Sequence, residues 1–123
     1  MQGKIKSFTD LIAWKEAHKL VLMIYKVTDG FPPKETFSLI DQMRRCAISI
    51  TSNIAEGFSR QSKKEKIQFY FTSKGSLTEL QNQLLIAKDV GYLKRSDFDE
   101  IAQKTVQVGK LISGLIKSSS SKP

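Results

Sequence analysis

The chain has 123 residues, of which 40% are hydrophobic and 26% are charged. This length and composition predict one soluble globular domain with a core of its own, stabilised without a metal or a disulfide. No apolar run approaches the roughly 20 residues of a membrane span, and no signal-peptide segment follows the basic N-terminus. A single cysteine, Cys46, excludes an internal disulfide and fits a reducing compartment. We therefore expect a cytoplasmic protein that does not enter a membrane.

The charge balance is strongly basic. Twenty Lys and Arg residues oppose twelve Asp and Glu residues, which gives a formal net charge of +8. Such an excess attracts polyanions: nucleic acid first, an acidic protein surface second and an anionic membrane third. The alternative is a charged surface that only keeps the protein in solution.

Four segments carry apolar residues at alternating steps of three and four, which is the spacing of one buried side of a helix. No stretch alternates with a period of two for long enough to predict a strand. The buried positions expected in the first helix are Leu11, Trp14, His18, Val21 and Tyr25, flanked by Ala17, Leu20 and Ile24. The buried positions expected in the second helix are Ile40, Met43, Ala47, Ile50, Ile54 and Gly57. In the third helix they are Tyr70, Ser73, Leu77, Leu80, Leu84 and Ala87. In the fourth helix they are Phe98, Ile101, Thr105, Val108, Ile112 and Leu115.

Helix boundaries follow from local sequence. Ser62 to Glu65 and Ser96 to Asp99 have the pattern of capping boxes, and Asp29-Gly30 and Gly91 end the first and third helices. The connections are short, so neighbouring helices are antiparallel. The predicted fold class is all-α: an antiparallel up-down-up-down four-helix bundle over residues 1–117, followed by a disordered serine-rich tail over residues 118–123.

The second helix contains the stretch RRCAISITSNIAEG, and its apolar arc spans roughly 200°, twice the stripe that a surface helix needs. Its remaining face is small and mostly uncharged, where a solvated face more often carries Lys and Glu. We expect it to pack closely on the third helix and to be partly covered by another subunit. The alternative is an ordinary hydrated face. The predicted polar network comprises Arg45, Ser49, Asn53, Glu56 and Glu79, with Arg45 and Glu56 paired to each other, to Glu79 or to a neighbouring chain.

Three stretches resemble a known family: FTDLIAWKEAHKLVLMIY at 8–25, FPPKETFSLIDQMRRCAISITSNIAEGFSR at 31–60 and GYL at 91–93. They are similar to the four-helix bundle proteins linked to intervening sequences of 23S ribosomal RNA genes. Small departures are Phe37-Ser38-Leu39, where the family often has a glycine, and Cys46, where it often has alanine. The resemblance implies a homo-oligomer, a ring of five subunits, with no established enzyme activity. A similar bundle is the accessory protein of diversity-generating retroelements, a basic pentamer that associates with a reverse transcriptase and nucleic acid.

Candidate groups for chemistry are few. His18 is the single histidine, expected at the core or its rim, and Cys46 is interpreted as a small hydrophobe rather than a nucleophile. There is no Glu-x-x-His pair for a metal and no glycine-rich loop before a lysine for a phosphate. The sequence predicts a protein that is not an enzyme and has no cofactor and no metal site.

A basic cluster is the candidate binding site. Arg60, Lys63, Lys64 and Lys66 gather where the third helix opens, and helix-start amides there also favour an anion. The favoured hypothesis is a non-enzymatic oligomeric adaptor that contacts the phosphate backbone of RNA or DNA, with an acidic or nucleic-acid-processing protein as a further candidate partner. The alternative is a protein-protein interaction scaffold with no direct nucleic-acid role. Phe69, Tyr70 and Phe71 lie nearby and are interpreted as packing residues before base-stacking ones.

Overall fold

The computed structural model describes residues 4–120, and in this range the chain forms four α-helices and no strand. The helices are α1 (Ile12–Thr28), α2 (Leu39–Ser59), α3 (Lys63–Asp89) and α4 (Arg95–Ser120). Short 3₁₀ turns at Phe8–Asp10 and Pro33–Glu35 precede α1 and α2. The all-α prediction with four helices is confirmed.

Each helix packs on the next along the chain, and α1 also packs on α4, which closes the bundle. The consecutive helices are antiparallel, because contacts between them pair rising residue numbers with falling ones. Ser49 meets Ser76 and Ile50 meets Ser73 across α2 and α3. Lys74 meets Ser113 and Gln81 meets Thr105 across α3 and α4. One end of the bundle, which we call the N-terminal end, therefore holds the start of α1, the 60–62 turn and the end of α4. The opposite end holds the 29–38 and 90–94 connections.

The core follows the predicted stripes in three helices. All six expected positions of α2 and all six of α3 are buried, and in α4 the four central ones are buried while Phe98 and Leu115 lie half-buried beside them. The stripe predicted for α1 is wrong at two positions, because His18 and Tyr25 are exposed. The buried residues of α1 are Ala13, Ala17, Leu20, Val21, Ile24 and Thr28. Small alanines let α1 approach its neighbours closely, so the buried side of α1 is centred on the residues that were expected to flank the stripe.

The close packing predicted between α2 and α3 is visible at Gly57. An ideal Cβ at this position would lie 2.6 Å from Cε1 of the buried Tyr70 ring and 3.0 Å from Cβ of Phe69. A few turns away, the buried Ser73 hydroxyl donates to the carbonyl of Ile50 at 2.8 Å. Small residues on both helices thus allow backbones to meet, and the Ser73 hydrogen bond satisfies a polar group inside the contact.

The helix ends differ from the predictions in two places. Ser62 caps α3, accepting from the Glu65 amide at 3.1 Å, and Gly91 ends that helix with a φ of 88° that favours glycine. Ser96, however, lies inside α4, which begins one residue earlier, so no capping box forms there. The α4 helix also continues through Ser120. The predicted disordered tail is therefore wrong for residues 118–120, where helical hydrogen bonding extends the bundle domain, and its last residues, 121–123, lie outside the described range.

Candidate nucleic-acid interface

The four cations of the predicted site surround the turn between α2 and α3, but the structure gives them different roles. Lys66 is half-buried, and its ammonium donates to the carbonyl of Phe58 at 2.7 Å and of Gly57 at 3.4 Å. These carbonyls lie in the last turn of α2, where the regular helical amide donors run out, so a lysine there compensates both the acceptors and the negative end of the helix dipole. Lys66 is therefore largely occupied in holding the turn.

Arg60 is also engaged within the chain. Its guanidinium lies 4.7 Å from the centroid of the Phe69 ring and 3.6 Å from the Glu56 carboxylate. Both members of this ion pair are well exposed, so it contributes at most about 1 kcal/mol and leaves Arg60 available to an anion.

Lys63 and Lys64 are exposed in the first turn of α3, beside the backbone amides at the start of the helix. The Lys64 side chain makes no hydrogen bond or ion pair with any residue in the described range. Helix-start amides and the two ammonium groups together favour an anion at this corner.

The fold concentrates positive charge at the N-terminal end, well beyond the 60–66 cluster. Residues 4–10, 56–66 and 110–120 meet at this end and carry eight cations against three carboxylates. The opposite end, made by residues 26–41 and 88–100, carries five cations against seven carboxylates. The charge is thus polarised along the bundle, and the 60–66 cluster belongs to a larger basic surface.

The neighbouring aromatic residues are mostly covered. Tyr70 is buried and one face of Phe69 lies under Arg60, in agreement with the packing interpretation. Phe71, by contrast, is 55% exposed. Of the three, Phe71 is the one whose ring remains accessible to a base.

The predicted polar network forms in part. The hydroxyl groups of Ser49 and Ser76 lie 2.8 Å apart across the α2–α3 contact, and the Asn53 amide donates to the Ser49 carbonyl at 2.8 Å and to its hydroxyl at 3.1 Å. The Glu79 carboxylate accepts from the Cys46 thiol at 3.6 Å.

Of the partners left open for Arg45 and Glu56, pairing with each other does not occur within the subunit. Eleven residues separate them, which is about 16 Å along a helix axis. Glu56 instead pairs with Arg60 one turn away, and Arg45 is exposed with no ion pair in the described part of the chain. Pairing of Arg45 with a neighbouring chain stays a prediction.

The two groups considered for chemistry are Cys46 and His18. Burial of the half-buried Cys46 thiol is the main cause that raises its pKa, and the nearby Glu79 carboxylate acts in the same direction, so the thiol form is favoured. The His18 ring is exposed and stacks on Trp14 with centroids 4.7 Å apart. Residues 4–120 contain no group of three or more His, Cys, Asp or Glu side chains able to hold a metal ion. Nor does this range contain a helix long and apolar enough to cross a membrane.

The fold and its charge distribution define an all-α, basic four-helix protein. The chain belongs to the 23S rRNA-intervening sequence protein family, whose model matches residues 9–114. A crystal structure of a protein with unknown function from the S23 ribosomal protein family of Bacteroides thetaiotaomicron VPI-5482 has the same fold, with a TM-score of 0.81. It is 20% identical, over 89% of this chain and 98% of that chain. No curated protein matches the sequence significantly.

Proposed function

We propose that this protein is a non-enzymatic, oligomeric adaptor that binds nucleic acid through the phosphate backbone at its N-terminal end. The observation that supports this proposal is the polarised charge, eight cations against three carboxylates at one end of the bundle. Backbone binding requires many cations on one surface and no base-reading side chains. It is weakly dependent on sequence and strongly dependent on salt.

A paired charge reversal tests this proposal. The variant Lys63→Glu/Lys64→Glu removes positive charge from the N-terminal end, and Lys34→Glu/Lys94→Glu makes the same change at the opposite end. Each variant lowers the formal net charge from +8 by four. All four positions lie at or just before the start of a helical segment, where a carboxylate is favourable, so both variants are expected to fold.

Binding is measured by fluorescence anisotropy with structured RNA, duplex DNA and single-stranded DNA across a salt series. The N-terminal variant should bind more weakly and reduce the slope of log affinity on log salt by about 1 for each phosphate that it no longer engages. The affinity of the opposite-end variant should fall much less. Equal reductions would show that net charge alone acts, and absence of binding by the parent protein at low salt would overturn the proposal.

We further propose that the outer face of α2 and α3 contacts a second copy of the chain, in a ring of subunits. Gly75 supports this: it lies exposed in the middle of α3, and an added Cβ would meet no atom within 4 Å. Mid-helix glycine costs about 1 kcal/mol relative to alanine, and no contact in the described chain uses the space. Phe37 next to α2 is 95% exposed, and Ile86 and Val90 on α3 are exposed at the same end. An apolar surface of this kind is typical of a contact between proteins.

The variant Gly75→Leu fills the space above α3 without a clash inside the subunit, and Gln103→Leu places the same side chain on the exposed surface of α4 as a control. Analytical ultracentrifugation should show a smaller assembly for Gly75→Leu and the parent assembly for the control. A monomeric parent, or an unchanged assembly in Gly75→Leu, would contradict the proposed contact.

The second candidate function is a protein-interaction scaffold that uses the same basic end for an acidic partner. Charge complementarity at the N-terminal end supports this candidate as well. Pull-downs with the two charge-reversal variants separate the candidates. Loss of a protein partner without any change in nucleic-acid affinity would support the scaffold.

A further inference from the structure

A groove with both apolar and cationic lining lies at the N-terminal end of the bundle. It has a volume of about 590 Å³ and lies between the start of α1 with its preceding segment and the last turns of α4. That volume falls within the roughly 300–1,000 Å³ typical of small-molecule sites. We call it the N-terminal groove; its apolar lining is Ile5, Leu11, Ile12, Ala13, Leu111 and Leu115.

Some apolar side chains of this groove are exposed to solvent and do not pack in the core. Ile12 is 58% exposed and Ile5 is 55% exposed, although both are large aliphatic residues. Gly114 forms part of the lining, and an added Cβ there would meet no atom within 4 Å. The groove is therefore an apolar surface with free space above it, on which an aliphatic chain would displace water favourably.

The charged lining is predominantly positive. Lys4, Lys15 and Lys110 line the groove and are exposed, and their side chains make no hydrogen bond or ion pair with the described residues. The single carboxylate, Asp10, accepts from the backbone amides of Lys6 at 2.9 Å and Ser7 at 3.1 Å. Its hydrogen-bonding capacity is partly committed to the turn before α1, so three ammonium groups face one engaged carboxylate.

We propose that the N-terminal groove binds a single-chain anionic amphiphile, a long-chain carboxylate, with its aliphatic chain on the isoleucine and leucine lining and its head group among the three lysines. Charge complementarity selects this occupant over a neutral or cationic amphiphile of the same length. The apolar lining selects it over a short anion, because a carboxylate without a chain gains nothing from burial. The groove shares Lys4 and Lys110 with the basic surface of the N-terminal end, but binding of the amphiphile does not require nucleic acid.

Dodecanoate, below its micelle concentration and without nucleic acid, is the probe for isothermal titration calorimetry on the full chain. We expect one site per chain. Acetate should bind at least about 100-fold more weakly, because it lacks about ten methylene groups. Dodecyltrimethylammonium, with an opposite charge on the same chain, should bind at least about tenfold more weakly. Amide chemical-shift changes on adding dodecanoate should cluster in residues 4–15 and 110–115.

Two variants locate the site. Gly114→Leu fills the groove from a position with open space and should weaken dodecanoate binding at least about tenfold through steric conflict. Lys110→Ala should weaken it about two- to fivefold, as expected for one exposed charge pair. The control Gln103→Leu adds the same leucine elsewhere on α4 and should bind like the parent protein.

Three results would overturn the proposal: no binding of dodecanoate by the parent, equal binding of the cationic amphiphile, or parental affinity in Gly114→Leu. The variant Lys63→Glu/Lys64→Glu keeps the groove intact and should bind dodecanoate normally. Failure of the groove and failure of the nucleic-acid interface are therefore distinguished by separate variants and ligands.

Discussion

Gly57 is the position at which one added methyl group most directly tests the packing of α2 on α3. In Gly57→Ala the new Cβ would lie 2.6 Å from Cε1 and 2.9 Å from Cδ1 of Tyr70, a ring that is buried and cannot swing into solvent. Overpacking of this kind costs about 1–3 kcal/mol. The higher helix propensity of alanine offsets up to about 1 kcal/mol. We expect the free energy of unfolding to fall by a net amount of about 1–2 kcal/mol.

Urea unfolding followed by circular dichroism measures this change, and thermal unfolding should show a midpoint lower by roughly 3–8 °C. Gly114→Ala in α4 is the control, because its Cβ meets no atom within 4 Å and alanine should leave stability unchanged or raise it by up to about 1 kcal/mol. In a double-mutant cycle, Tyr70→Leu should absorb part of the penalty at Gly57, with a favourable coupling of about 1 kcal/mol. If Gly57→Ala is as stable as the parent, the helices are not held at this separation and the reasoning fails.

Three further substitutions test individual contacts. Lys66→Met should lower the free energy of unfolding by about 1–2 kcal/mol, because it deprives the last carbonyls of α2 of a donor. Lys64→Met should change the same quantity, measured by urea unfolding, by less than about 0.5 kcal/mol. Equal effects of the two variants would refute the conclusion that Lys66 stabilises the turn and Lys64 does not. Asn53→Ala removes hydrogen bonds of 2.8 and 3.1 Å and should cost about 0.5–1.5 kcal/mol in the same assay, while an unchanged midpoint would show that water replaces them. The Tyr92 hydroxyl donates to the Glu35 carboxylate at 3.0 Å, and this hydrogen bond is the main cause that lowers the pKa of that carboxyl. The hydrogen bond therefore stabilises the fold fully at a pH above the ordinary Glu pKa of about 4.5, and its contribution decreases as the pH falls below that value. Tyr92→Phe should therefore be less stable than the parent at pH 7, and the difference should narrow at acidic pH; a constant difference would exclude this linkage.

The buried sides of α2 and α3 could be predicted from spacing because each helix has one coherent stripe of apolar and small residues. In α1 the prediction centred the buried side on Trp14, His18 and Tyr25, and the alanines were expected only at its flank. A single-helix pattern contains no information about how closely a neighbour approaches. The structure buries the alanine side and leaves the His18 ring stacked on Trp14 at the surface.

The candidate site could be predicted in position but not in the role of each residue. Four cations close together in the sequence indicated a basic turn, yet Lys66 reaches back to the carbonyls of α2, a contact that depends on how α3 lies against α2. The N-terminal lysines and the end of α4 join this turn only because the bundle is antiparallel. These residues are far apart in the sequence, so their proximity follows only from the antiparallel packing of the helices.

The sequence by itself determined the all-α class, the number of helices and most of their buried sides, because helical periodicity is a local property of the chain. The family was also recognisable from sequence, through contiguous stretches that include NIAEG. Only the tertiary structure decided which stripe of α1 is buried, which cations are engaged and that the charge is polarised between the two ends. These features depend on distances between residues on different helices, and packing alone sets those distances.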